Sequence, residues 1–122
     1  MKTVVLGATP KNDRFANRAV RSLVRYGHEV VPLGRQTGTI GDLEILDAKP
    51  ELKEVHTVTL YLNPTNQKEW YEYIMKLNPK RIIFNPGTEN PELIEMAREK
   101  GIDPVIGCTL VMLAGGSYDE RN

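Results

Sequence analysis

The residues best placed for chemistry gather where short apolar runs break. Val4-Val5-Leu6 runs into Gly7-Ala8-Thr9-Pro10, and helical spacing begins at about Phe15-Ala16-Asn17. A strand that breaks on Gly and Thr ahead of a helix aims backbone N–H groups and the positive helix end at one spot, which suits a phosphate. Similar breaks follow four further apolar runs, at Gly34-Arg35, Asn63-Pro64, Asn85-Pro86-Gly87-Thr88 and Gly107-Cys108. Ligands of open parallel sheets lie beyond the carboxyl ends of the strands, where strand order reverses. The five segments are therefore expected to form one cleft, although βα loops also collect Gly, Pro and Asn simply because they turn.

The type of phosphate compound is partly readable. A dinucleotide fingerprint needs G-x-G-x-x-G, with an acidic residue about twenty positions on for the ribose of NAD. This chain offers Gly7 alone. Where the acid would sit it has Gly34-Arg35, with no carboxylate before Asp42. A guanidinium makes paired, charge-assisted bonds to phosphate oxygens, so Arg35 favours a ribose carrying an extra phosphate. Coenzyme A and NADP both carry one; NAD does not.

Other eye-catching residues have plainer explanations. His28 follows Gly27 at a helix end, where it complements the dipole, and His56 falls in a loop before a strand. Cys108 reads as a small buried apolar residue rather than a reactive thiol. Trp70 and Tyr73 share a helix face that should point to the core. Glu89 and Glu92 suit the start of a helix, and Asp13 with Arg14 suits an exposed pair or a turn. Two histidines and one cysteine, widely separated, give no metal-ligand spacing.

The elements that must position these residues alternate between short apolar runs and stretches of helical period, as in a parallel sheet covered by helices. Strands are predicted near Thr3–Leu6, Glu29–Leu33, Thr57–Leu62, Arg81–Phe84 and Pro104–Ile106. Several are continuous β-branched runs, the mark of strands buried on both faces. Apolar helix stripes run through Ala16, Ala19, Val20, Leu23 and Val24 to Gly27, through Trp70, Tyr73, Ile74 and Leu77 to Asn78-Pro79, and through Leu93, Ile94 and Ala97 to Gly101. A last helix is expected over Leu110–Leu113. Residues 34–55 read as a loop, a short edge strand and a turn, and Ser117–Asn122 reads as a loose polar tail.

The chain has 122 residues, 40% hydrophobic and 26% charged, within the range of a single domain spanning residues 1–122. Sixteen basic and sixteen acidic residues cancel, so no bulk field draws it to nucleic acid or to an anionic membrane. No apolar run is long enough to cross a bilayer, and the start of the chain lacks the layout of a secretory signal. With a single cysteine ruling out internal disulfides, a cytoplasmic location is expected.

Several segments together resemble a known family. These are Gly7-Ala8-Thr9-Pro10 with Phe15-Ala16-Asn17-Arg18-Ala19, Tyr26-Gly27-His28-Glu29-Val30, Ile40-Gly41, Tyr61-Leu62-Asn63-Pro64, Phe84-Asn85-Pro86-Gly87-Thr88-Glu89-Asn90 and Gly107-Cys108. In this order they are similar to the motifs of the small stand-alone CoA-binding proteins, which resemble the N-terminal CoA-binding domain of the succinyl-CoA synthetase alpha subunit. The resemblance covers nearly the whole chain and implies a Rossmann-like three-layer fold with a five-stranded, mostly parallel sheet.

It also implies roles. Gly7, Ala8 and Thr9 would wrap the CoA pyrophosphate, with Arg14 and Asn17 near the helix start. Arg35 would meet the phosphate on the adenosine ribose, with Gly34 beside it among the cofactor-binding residues, Asn63 and Pro64 would lie along the nucleotide, and Asn85, Pro86 and Gly87 would border the pantetheine path. The chain departs from the family at Pro32-Leu33-Gly34-Arg35, where Val-Asn-Pro is usual.

The expectation is a module that binds coenzyme A or an acyl-CoA without catalysing a reaction, since synthetase activity needs a further domain and a partner subunit. Two alternatives stay open. One is an NADP-dependent oxidoreductase, or a fragment of one, using the same loop and Arg35. The other is a regulatory subunit that senses acyl-CoA and acts on an unidentified protein partner.

Overall fold

Apolar residues at alternate positions of three central strands point to opposite faces, and this divides the core in two. In the computed structural model, which describes residues 1–119, the chain order is β1 (Thr3–Leu6), α1 (Phe15–Arg25), β2 (Val30–Leu33), β3 (Gly38–Ile40), β4 (Leu43–Ile45) and β5 (Thr57–Leu60). Then follow α2 (Pro64–Gln67), a 3-10 turn (Lys68–Trp70), α3 (Tyr71–Leu77), β6 (Arg81–Phe84), α4 (Pro91–Glu99), β7 (Asp103–Ile106) and α5 (Thr109–Gly115). Val4, Leu6, Val58, Leu60, Ile82 and Phe84 face α3 and α4, packing against Trp70, Ile74, Leu93 and Ala97. Val5 and Ile83 face the other way, onto Val20, Leu23 and Leu113 of α1 and α5. Each fully buried Leu, Ile or Phe contributes roughly 1.5–3 kcal/mol relative to exposure. Among the described residues no helix is long and apolar enough to cross a membrane.

The five expected strands all form, at nearly the expected bounds, in one sheet of order β2-β1-β5-β6-β7. Every pairing in it is parallel. With helices on both faces this is the expected Rossmann-like, three-layer α/β architecture, and its sheet is wholly rather than mostly parallel. The chain builds outward from β1 to β2 and then crosses back to β5, so strand order reverses between β1 and β5.

Residues 34–55 are more ordered than expected. β3 and β4 form an antiparallel hairpin around Gly41-Asp42, and Ile40 and Ile45 are buried in the α1 side of the core. Leu46 then runs beside Leu33, the Leu46 amide donating to the Pro32 carbonyl and the Gly34 amide to the Leu46 carbonyl. Pro32, which has no N–H to give, is thus on a sheet edge where only its acceptor is needed.

Two expectations about packing fail. Val24 does not join the apolar stripe of α1 but is 51% exposed, because the stripe turns away from it after Leu23. The tail is not loose over its described part. Tyr118 is 1% exposed, and its hydroxyl pairs with Thr3 Oγ1 at 2.5 Å. The Arg81 guanidinium stacks on the Tyr118 ring, 4.4 Å from its centroid, and donates from Nη2 to the Tyr118 carbonyl and from Nε to Thr57 Oγ1. A single aromatic ring thus closes the amino-end edge of the sheet; residues 120–122 of the expected tail lie outside the described residues.

Candidate ligand-binding groove

The ends of β2, β1 and β5 come together backbone to backbone. Gly7 has φ +95°, and a Cβ on it would sit 3.0 Å from the carbonyl carbon and oxygen of Tyr61. On Gly34 a Cβ would come within 2.4 Å of the Ala8 carbonyl oxygen. Only residues without side chains allow these approaches. The amides of Gly7 and Ala8 both donate to the Leu33 carbonyl, at 2.9 and 3.0 Å. They tie β1 to β2, so these two amides are not available to a ligand.

That next stretch leads into α1. Thr9 donates from Oγ1 to Gln36 Oε1 and accepts the Lys11 amide. Asn17, buried, turns back from the helix and donates to the Thr9 carbonyl at 2.9 Å while its Oδ1 accepts from Arg21 Nε. The helix begins after Arg14, whose side chain makes no bond to its amides, and its first turn has no acid. α2 and α4 differ: Asn63 Oδ1 accepts the Asn66 amide, and Asn90 Oδ1 accepts those of Glu92 and Leu93. The eleven-residue α1 therefore presents an uncapped positive end, with Lys11 and Arg14 beside it. An anion suits that place.

Three depressions line the carboxyl edge of the sheet and share residues at their borders. The middle one, about 500 Å³, holds Thr9, Lys11 and Arg14 on one side and Asn63, Gly87 and Thr88 on the other. A smaller one of about 190 Å³ lies at the β2 end, between Ala8, Gly34, Arg35 and the pair Glu69 and Trp70, and joins the middle one at Gly7, Gln36 and Leu62. A third, also about 190 Å³, lies at the β7 end and joins at Phe15, Tyr61 and Pro86. The result is a groove across the strand ends, crossing the point where strand order reverses.

Arg35 stands at one end with its Nη2 2.6 Å from Glu69 Oε1. Lys49 completes this rim, donating to the Glu69 carbonyl and lying 5.1 Å from the centroid of the Trp70 ring. The loop after β6 is fixed from beneath. Asn85 Nδ2 donates to Thr59 Oγ1 and the Leu60 carbonyl, and its Oδ1 accepts the Thr109 amide. Gln67 donates to the Thr88 carbonyl and accepts from Asn90. The Tyr61 hydroxyl, buried beside Thr59 and Thr109, makes no aligned hydrogen bond among the described residues. Burial pushes its ionisation far above the ordinary tyrosine range, so it stays neutral.

Of the residues expected at the ligand, Gly7, Ala8, Thr9, Arg14, Gly34, Arg35, Asn63, Asn85, Pro86 and Gly87 all line the groove. Asn85 does so with its polar atoms already spent. Asn17 and Pro64 fall outside the lining: Asn17 holds the first loop, and Pro64 opens α2. Cys108 is only partly buried, against the expectation of burial, because it precedes α5 at the β7 end of the groove. Lys11 and Gln36 were not singled out by sequence, and Tyr61 and Thr88 were named only as members of segments, with no role at the ligand. Each lies within a few residues of a strand end, and that position is the signal that could have found them.

The uncapped helix end beside Lys11 and Arg14, and the exposed Arg35 guanidinium paired only with Glu69 among the described residues at the β2 end, fit a ligand with separated phosphates. The matches to known proteins agree. The chain belongs to the CoA binding domain family, whose model matches residues 1–114 of it. Its fold is similar to the crystal structure of an uncharacterized protein at 53% identity, covering 95% of this chain and 96% of that one, with a TM-score of 0.93. A Thermus thermophilus protein, cell-free ID.343, is similar at 23% identity over 95% of this chain and 89% of that one, with a TM-score of 0.83. A hypothetical protein from Pyrococcus horikoshii OT3 is similar at 22% identity over 95% and 82%, also at 0.83. No curated protein gives a match.

Proposed function

We propose that the protein binds coenzyme A, or an acyl-CoA, along the groove at the carboxyl ends of β2, β1, β5 and β6 and acts as a binding or regulatory module rather than a catalyst. The adenosine end lies between Arg35 and Trp70, with the ribose phosphate on the guanidinium. The pyrophosphate lies at the amino end of α1, met by Thr9, Lys11, Arg14 and the helix amides. The pantetheine passes Pro86 and Gly87 toward Cys108. The observation that carries this reading is the uncapped, acid-free start of α1, with Lys11 and Arg14 beside it in the middle depression of the groove.

Calorimetric titration with CoA, dephospho-CoA, NADP and NAD at one salt concentration tests it. Saturable binding of CoA, weaker binding of dephospho-CoA and none of NADP is the expected result. Binding of NADP alone would overturn the reading and direct attention to hydride transfer.

A further inference from the structure

We infer that the ligand class of this groove is an acyl-CoA with a short apolar acyl chain, and that Leu110 is a residue that selects it; the inference rests on the CoA reading above. The groove changes character along its length. Its middle is lined by hydroxyl, amide and cationic side chains, whereas the depression at its β7 end is formed by Phe15, Tyr61, Asn85, Pro86, Cys108 and Leu110.

Asn85 is the only amide among these six, and its side chain is fully used inside the protein. Both acceptors of its Nδ2 and the amide donor to its Oδ1 belong to β5 and α5. The pantetheine arm carries amides that need partners, so this set of side chains is a poor match for it and a good match for hydrocarbon. Phe15, shared with the polar middle, is 65% exposed on the first residue of α1, an aromatic surface at the junction that a ligand chain would cover. The depression holds about 190 Å³, a little more than the roughly 150 Å³ of an apolar cavity that takes benzene, which fits a chain of about four to six carbons. A thioester-linked chain leaving the pantetheine at Pro86 continues into it.

Titration calorimetry of the whole chain with CoA, acetyl-CoA, butyryl-CoA, hexanoyl-CoA and succinyl-CoA tests the inference. Affinity is expected to rise along the apolar series, hexanoyl-CoA binding about tenfold or more tighter than CoA by burial of its methylenes. Succinyl-CoA, with its terminal carboxylate, should show no such gain. In Leu110→Asp the ratio of hexanoyl-CoA to CoA affinity should fall toward one. If wild-type protein binds CoA as tightly as every acyl-CoA, the acyl preference is wrong and the CoA reading stands. If neither CoA nor any acyl-CoA binds, both fall.

Discussion

Arg35 and Glu69 hold each other at 2.6 Å across the β2 end of the groove, one from the end of an edge strand and the other from the 3-10 turn before α3. The Arg35 side chain is 75% exposed, so the pair itself stabilises the fold little. Under the proposed CoA reading the pair matters for binding, since a ribose phosphate would have to take the guanidinium from the carboxylate. Arg35→Ala should weaken CoA by about 1.5–3 kcal/mol, the loss of charge-assisted bonds, and leave dephospho-CoA nearly unchanged. Glu69→Gln should tighten CoA by about 0.2–1 kcal/mol. Calorimetric titration of both variants checks this, and equal losses for CoA and dephospho-CoA in Arg35→Ala would show that Arg35 does not read the extra phosphate.

Gly34→Ala should destabilise the protein by about 1–3 kcal/mol in urea unfolding, because the new methyl meets the Ala8 carbonyl, a backbone atom that cannot swing aside. Gly115→Ala is the control: its methyl meets nothing, and at the end of α5 it should be neutral or stabilising by up to about 1 kcal/mol. Equal stability of the two variants would contradict the close approach of β2 to the first loop.

Two tyrosines should respond oppositely to loss of their hydroxyls. Tyr118→Phe gives up the bond to Thr3 and should cost about 1 kcal/mol, and Tyr118→Ala should cost about 3–5 kcal/mol as the ring leaves a cavity. Tyr61→Phe removes a buried hydroxyl without an aligned partner and should cost nothing or stabilise. Denaturation midpoints at constant pH decide between these outcomes.

Acid should weaken the fold through His28. Its proton affinity is lowered from the ordinary 6.5, first by burial and then by the N-terminal ammonium, with Arg81 adding to them and Asp119 opposing. The folded chain thus binds this proton less readily than the unfolded chain, so between the two titrations stability rises with pH. Lowering the pH from about 7.5 to about 5 should therefore cost the wild type more stability than His28→Gln. Parallel pH dependences for the two proteins would count against His28 as the source.

The strands were legible because β1, β5 and β6 are buried on both faces, so nearly every position must be apolar or a small threonine. The edge strand β7, by contrast, exposes Asp103 and Ile106 and was recognised one residue short. The hairpin was only partly legible, since Ile40, Leu43 and Ile45 are too few to make a pattern amid glycines and acids. At the groove, strand ends told where the groove-lining loops lie, but not which way an amide points. Asn17 and Asn85 suit a ligand or a loop equally well by type, and only the partners of their nitrogens and oxygens show that they brace loops. Tyr118 was hidden because a lone aromatic among Ser, Gly and Asp gives no period, and its burial depends on Thr3 and Arg81, distant in the chain.

The two described ends of the chain meet on one imidazole: the Met1 amine lies 2.9 Å from His28 Nδ1, and Asp119 Oδ1 lies 3.2 Å from Nε2. This junction is at the opposite edge of the sheet from the groove. A short peptide could therefore join the ends and the backbone be reopened at the Gly41-Asp42 turn, giving a circular permutant in which all the groove-lining strand ends keep their order in space.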